Sequence, residues 1–268
     1  LRALTALATG TGTVSVGPGI TDPLVLAHAP AAVAAALERR RAFVPARDAY
    51  LALGDTVSAL RMATAIGADS STRRAIVSQL ARTLPSLQIT QLLALLDHAY
   101  QPLSPDEQLV AARAAARAGQ PPRAVAGFDA ALAHGLGTPD DRFSRAQMLV
   151  RSGQVTAGAA AFRALTSDRA LGVRALFEEG RALLRLPDHA AAIRALGDVV
   201  QHHPHDSTQA ASALFLLAGE DADRGDDRGA RRRWGELARR YPADRLAPPA
   251  RFQADIISFV PREFRRAA

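Results

Sequence analysis

The 268-residue chain contains no cysteine and no lysine. Without thiols it has no disulfide framework and no thiolate metal site. Every one of its 33 basic residues is therefore arginine, set against 26 acidic residues for a formal net charge of +7. The preferred explanation for the missing lysine is the plain one, a codon bias of the kind a GC-rich genome imposes. The positive balance suits an anionic partner but does not choose among cell-wall polymer, membrane surface and nucleic acid. Aromatic residues make up only 5%, and valine and isoleucine do not alternate in runs, so the β-strand signal is missing. No apolar run reaches about 18 residues, the length a membrane-spanning helix needs. No complete signal peptide is visible, and the chain opens on Leu1, as a processed or trimmed product would.

What remains is rich in alanine and regularly punctuated. With 48% hydrophobic and 22% charged residues the chain reads as a folded protein of one or two domains. Residues 1–29 are set apart by "ATGTGTVSVGPGITDP", which reads as a flexible arm. It is not a phosphate loop, because no Gly-Lys-Ser/Thr follows. From Pro30 onward the pattern is helix, short turn, helix. The turns fall at Gly54, near Ser86, and at Gly119, Gly153, Pro187 and Gly225, in steps of 32, 33, 34, 34 and 38. A period near 34 is the signature of tetratricopeptide-type helical hairpins.

The register supports this reading. Five residues after the turn stand the small residues Ala59, Ala124, Gly158, Ala192 and Ala230. Nine after it stand Phe128, Phe162, Leu196 and Trp234, whereas the first hairpin has Ala63. Seven before it, on the first helix, stand Ala112, Ala146, Gly180 and Ala218, and Ala46 takes the corresponding place in the first hairpin. Small residues let paired helices approach closely, and the large residue fills the groove between hairpins. Pro204 and Pro242 each end a second helix seventeen residues after the turn. The expected core therefore includes Ala124, Phe128, Phe162, Ala192, Leu196, Ala230 and Trp234. The basic stretch "RRRWGELARRYP" is then one helix of a repeat, with Trp234 inside and its arginines in water. The expected fold is an all-α, tetratricopeptide-like α-solenoid of about six hairpins. Its parts are the arm over 1–29, degenerate hairpins over 30–104, clear repeats over 105–258 and a basic tail over 259–268.

The stretch "ASALFLLAGEDADRGDDRGARRRWGELARRYPADRLAPPARFQADIISF" resembles the helical superstructure of soluble lytic transglycosylases. The similarity covers 105–260 best and 30–104 more loosely. It rests on alanine-rich first helices, an Arg-Gly-Asp turn, a tryptophan in the second helix, "RRYP", and "APPARFQADI" entering the next helix. In that family an α-superhelical region precedes a lysozyme-like domain that cleaves peptidoglycan. The resemblance implies a periplasmic or cell-envelope protein. The family's catalytic Glu-Ser dipeptide and its Gly-Leu-Met-Gln segment do not occur in this sequence. No catalytic residue carries over, so the chain is expected to be a scaffold and not an enzyme. Either the enzyme part lies outside these residues or the protein keeps the scaffold alone.

Several short motifs invite a chemical reading. "QHHPHD", Gln201 to Asp206, offers three histidines to a metal, but it ends a repeat helix at a proline turn and is expected to be solvated. Arg224-Gly225-Asp226 occupies the position of other hairpin turns. Asp140-Asp141 opens a helix after Pro139, where negative charge suits the dipole. Glu178-Glu179 has no third group placed to separate the two acidities. No cofactor motif is found. Binding is therefore assigned to arginines on the first helices, namely Arg113, Arg117, Arg145, Arg151, Arg174 and Arg181. Arg262, Arg265 and Arg266 of the tail join them, because residues 224–268 hold twelve arginines and six acids. The expected partner is a protein or an anionic cell-wall polymer. The alternative is an accessory subunit of a larger, membrane-associated complex, and a nucleic-acid solenoid ranks third.

Overall fold

The computed structural model describes residues 30–67, 86–99 and 102–259. Among these the chain forms thirteen helices and no strand, and each helix packs on its neighbour in sequence within two compact units, residues 1–136 and 137–268.

The first unit contains α1 (Pro30–Arg39), α2 (Phe43–Ala52), α3 (Thr56–Ala65), α4 (Ser86–Ala99), α5 (Pro105–Arg117) and α6 (Pro121–Ala133). Val33, Ala34 and Leu37 of α1 form a core with Ala46, Ala49 and Tyr50 of α2 and with Ala59 and Met62 of α3. Ala63, which stands where later repeats have a large residue, is also fully buried. Tyr50 donates its hydroxyl proton to Glu38 at 2.7 Å, and Arg61 donates to the same carboxylate oxygen at 2.8 Å. Burial, then the bond to Glu38, pushes the Tyr50 phenol up to about 12. Ser104 and Glu107 close a reciprocal capping box that starts α5. Arg123 of α6 grips α4 through both Asp97 oxygens, at 2.6 and 2.7 Å, and the Leu93 carbonyl at 2.9 Å. At the α5–α6 crossing a Cβ on Gly127 would lie 2.9 Å from the Ala112 Cβ, so the two small residues set the spacing. Ala124 and Phe128, on the inner face of α6, are fully buried.

The second unit contains α7 (Pro139–Arg151), α8 (Val155–Arg163), α9 (Gly172–Leu183), α10 (Ala190–His202), α11 (Ser207–Asp223), α12 (Asp227–Arg240) and α13 (Ala247–Phe259). Its core repeats one arrangement three times, with the large second-helix residue lying between its own first helix and the helix that follows. Phe162 of α8 packs with Phe143 and Ala146 of α7 and with Ala175 of α9. Leu196 of α10 packs with Phe177 of α9 and with Ala213 and Leu217 of α11. Trp234 of α12 packs with Ala211, Leu214 and Ala218 of α11 and with Ala250 and Ile257 of α13. Ala192 and Ala230 are fully buried. The first helices α9 and α11 also touch each other directly. Tyr241 is buried, and its hydroxyl donates to the Pro204 carbonyl at 2.9 Å, which fixes the histidine-bearing turn to the end of α12.

The hairpin turns that carry glycine share one device. At the end of α7 the Gly153 amide bonds to the Val150 carbonyl and the Gln154 amide to the Leu149 carbonyl. At the end of α11 the Gly225 amide bonds to the Ala222 carbonyl and the Asp226 amide to the Asp221 carbonyl. Each is a Schellman closure, which needs a left-handed residue, and Gly153 and Gly225 supply it at φ +87° and +78°. Gln154 and Asp226, which complete these closures, are already the N-cap residues of α8 and α12. Asp226 accepts from the Gly229 amide at 2.9 Å, so the Arg-Gly-Asp tripeptide is occupied in closing one helix and opening the next. The Leu186-Pro187-Asp188 turn has no glycine and closes α9 instead with tighter bonds, from the Arg185 amide to Ala182 and from the Leu186 amide to Leu183.

Candidate functional site

Among the described residues of the second unit, a cleft of about 320 Å³ opens between α7 and α9. Phe162 lies beneath it, and Val150 and Ala182 form its apolar wall. Its rim carries Arg151 from the last turn of α7 and Arg181 and Arg185 from α9 and the turn that follows. Glu178 is the cleft's one acid, and Gln147 completes the lining. Arg174, Glu178, Arg181 and Arg185 are spaced by 4, 3 and 4 residues. That spacing puts them in one stripe on the helix surface.

The stripe is differentiated along its length. Arg174 lies over the Phe143 ring, 4.5 Å from its centroid, as a cation–π contact. Phe143 in turn meets Phe162 edge-on at 5.1 Å. Glu178 pairs with Arg181 at 2.6 Å. Burial pushes the Glu178 carboxyl above its ordinary range, opposed by Arg181 and then by Arg174 and Arg151. Arg185 donates to the Val150 carbonyl at 3.0 Å. Arg151 is exposed, and its side chain makes no hydrogen bond or ion pair among the described residues.

The sequence-assigned arginines therefore fall into separate settings. Arg151 and Arg181 share the cleft, while Arg174 sits on an aromatic ring. Arg145, on α7, is half-buried. Arg113 and Arg117 are exposed on α5 of the first unit. Arg262, Arg265 and Arg266 lie outside the described residues. Arg185 is not among the assigned residues, because it stands beyond the helix in the turn, but its spacing of four from Arg181 is the available signal.

The remaining motifs have structural roles. Asp141 closes a capping box with Thr138 at the start of α7 and is buried there. Glu179 turns away from Glu178 and is buried against Arg163 of α8 at 2.7 Å. Buried Asp221 accepts from Arg224 at 2.8 Å and also binds Arg233. A Cβ on Gly229 would come within 2.8 Å of that carboxylate, so glycine is needed beside it. His202 lies 3.9 Å from Asp198 on α10, and among the described residues no three His, Asp or Glu side chains are grouped to hold a metal ion.

A second groove, of about 450 Å³, runs between α10, α11 and α12. Its arginines are mostly engaged. Arg233 is held by Asp221 and the Leu217 carbonyl. Arg240 pairs with Glu236 at 2.6 Å and lies over the Tyr241 ring. Among the described residues no helix is long and apolar enough to cross a membrane. Comparison with known proteins finds no matching family model and no matching curated protein.

Proposed function

We propose that this protein is a non-catalytic helical-repeat scaffold, a tetratricopeptide-like α-solenoid that holds a protein partner along the first helices of its hairpins. One observation carries the reading. The first helices α7 and α9 present unpaired or partly paired guanidinium groups around an open, apolar-walled cleft, whereas in the groove between α10, α11 and α12 the arginines, all carried by the second helix α12, are largely neutralised internally. Helical repeats use such extended surfaces for recognition. The resemblance of residues 105–260 to the superhelical part of soluble lytic transglycosylases is the ground for placing the scaffold in the cell envelope, near peptidoglycan. A subunit packed on a larger assembly is the second reading. It is favoured by α13, where Phe252 is 61% exposed and Ile256 lies beside it on the same open face.

Photo-crosslinking in the host cell tests the scaffold reading. A photoreactive residue at Gln147 or Arg181 should give one common protein adduct, while the same residue at Arg194 on α10 or Arg239 on α12 should give none. No adduct from the first-helix positions, or equal adducts from all four, overturns it.

A further inference from the structure

The cleft between α7 and α9 limits what the partner can place there, and the argument rests on the scaffold reading above. Its three guanidinium groups are not equivalent. Arg181 is already occupied by Glu178 at 2.6 Å. Arg185 spends one nitrogen on the Val150 carbonyl and keeps its other donors. Arg151 keeps all of its donors. A planar guanidinium with free donors matches a carboxylate by two parallel hydrogen bonds. The volume of about 320 Å³ is at the small end for a ligand site. Val150 and Ala182 beside the charges favour an apolar group next to the anion.

Other anionic ligands fit less well. Stacking of nucleotide bases or sugar rings needs an exposed aromatic face, and Phe143 and Phe162 are both buried. A chain of phosphates would also meet the Glu178 carboxylate that lines the cleft. A peptide avoids both problems, because its carboxylates and apolar side chains alternate and its charge is localised.

We propose that the cleft binds an acidic peptide segment of the partner. One ligand carboxylate sits between Arg151 and Arg185, and the adjoining apolar side chain rests on Val150 and Ala182 above Phe162. Glu178 is the resident competitor. It holds Arg181 when the cleft is empty, repels ligands of dense negative charge, and sets the affinity by how readily it yields Arg181.

The test is fluorescence anisotropy on the full 268-residue chain with a labelled hexapeptide of alternating glutamate and leucine, at near-physiological salt. Wild type should bind it saturably, and a glutamine–leucine hexapeptide should not bind. Arg151→Gln should weaken binding about tenfold, the loss of one charge-assisted pair. Arg194→Gln makes the same charge change on α10 outside the cleft and should stay within about twofold. Glu178→Gln should tighten binding about threefold or more, because it frees Arg181 and removes the repulsion. Equal weakening by Arg151→Gln and Arg194→Gln would reduce the effect to net charge and overturn the proposal. So would no binding of the acidic peptide, no tightening by Glu178→Gln, or equally tight, Arg151-dependent binding of a uridylate hexamer. If the peptide experiment fails while Gln147 and Arg181 still crosslink to one partner, the ligand chemistry is wrong and the scaffold reading stands. If those crosslinks are absent, the scaffold reading itself falls.

Discussion

Gly180→Ala is expected to destabilise the second unit, although alanine is the better helix former. In a helix interior the exchange normally gains about 1 kcal/mol. Here a Cβ would lie 2.7 Å from the Leu196 Cγ, 2.9 Å from its Cδ2 and 3.3 Å from its backbone nitrogen. Leu196 is fully buried among Phe177, Val199, Ala213 and Leu217, so it has no free space to turn into. Relief requires α9 and α10 to move apart, and overpacking of this kind costs about 1–3 kcal/mol. The net change is a loss of roughly 0–2 kcal/mol. Gly197, on α10, is the control, because a Cβ there meets nothing within 4 Å. Gly197→Ala should therefore gain up to about 1 kcal/mol. Urea titration followed by helix circular dichroism measures both, and the two variants should differ by about 1–3 kcal/mol. Leu196→Ala closes the argument. It should cost about 2–5 kcal/mol in wild type and less when combined with Gly180→Ala, because it removes the clashing side chain. Equal stabilisation by Gly180→Ala and Gly197→Ala, or strict additivity with Leu196→Ala, would show that α9 and α10 are not held at this spacing.

Trp234→Ala should cost about 3–5 kcal/mol in the same assay, because the ring joins α11, α12 and α13. Arg232→Ala on the exposed face of α12 should cost less than about 0.5 kcal/mol, and comparable losses would mean that the helix is wrongly oriented. His189, at the start of α10, has its Nδ1 2.7 Å from a Glu220 oxygen of α11, and this bond raises its pKa above 6.5 although partial burial opposes it. A raised histidine pKa stabilises fully below the unfolded value, and the contribution is lost as pH rises through the folded one. The melting difference between wild type and Glu220→Gln should therefore be largest near about pH 5.5 and shrink towards about pH 8.5, and a flat difference would refute the pairing. On the scaffold reading the purified chain should release no muropeptides from peptidoglycan, and release by a sequence-verified preparation would refute it.

The hairpins were legible because glycine, proline and small residues act locally. A left-handed turn position admits glycine with little competition, and a close crossing admits only small side chains. The partners of those residues were less legible. That Gly180 faces Leu196 depends on the crossing of two helices, which the spacing of either helix does not give. The cleft was half legible. Arg151 and Arg181 could be assigned to first helices from their position in the repeat. Adjacent Glu178 and Glu179 look equivalent in sequence, yet a step of one residue on a helix is a rotation of about 100°, since a turn holds 3.6 residues. That rotation sends Glu178 to Arg181 in the cleft and Glu179 to Arg163 on α8. Arg185 escapes a reading confined to the helix, because its stripe continues into the turn beyond.

The three-residue turns have a consequence for how such a chain can lengthen. In Gly153-Gln154 and Gly225-Asp226 the residue that closes one helix is the one that opens the next. A single inserted residue there would break both duties at once. The first helices show where length has changed instead. Helices α5 and α7 begin 14 residues before their turn glycines, at Pro105 and Pro139, whereas α11 begins 18 residues before Gly225, at Ser207. The difference of four is close to one helical turn of 3.6 residues, so the inward stripe of α11 keeps its direction while the helix grows. Sequence drift in this architecture is thus filtered by a ratchet. Changes of a whole turn at a helix start, or of a whole hairpin, preserve the packing, while changes of one residue at a turn are removed. Homologous chains, and artificial hybrids made by exchanging hairpins, should differ in length in those steps.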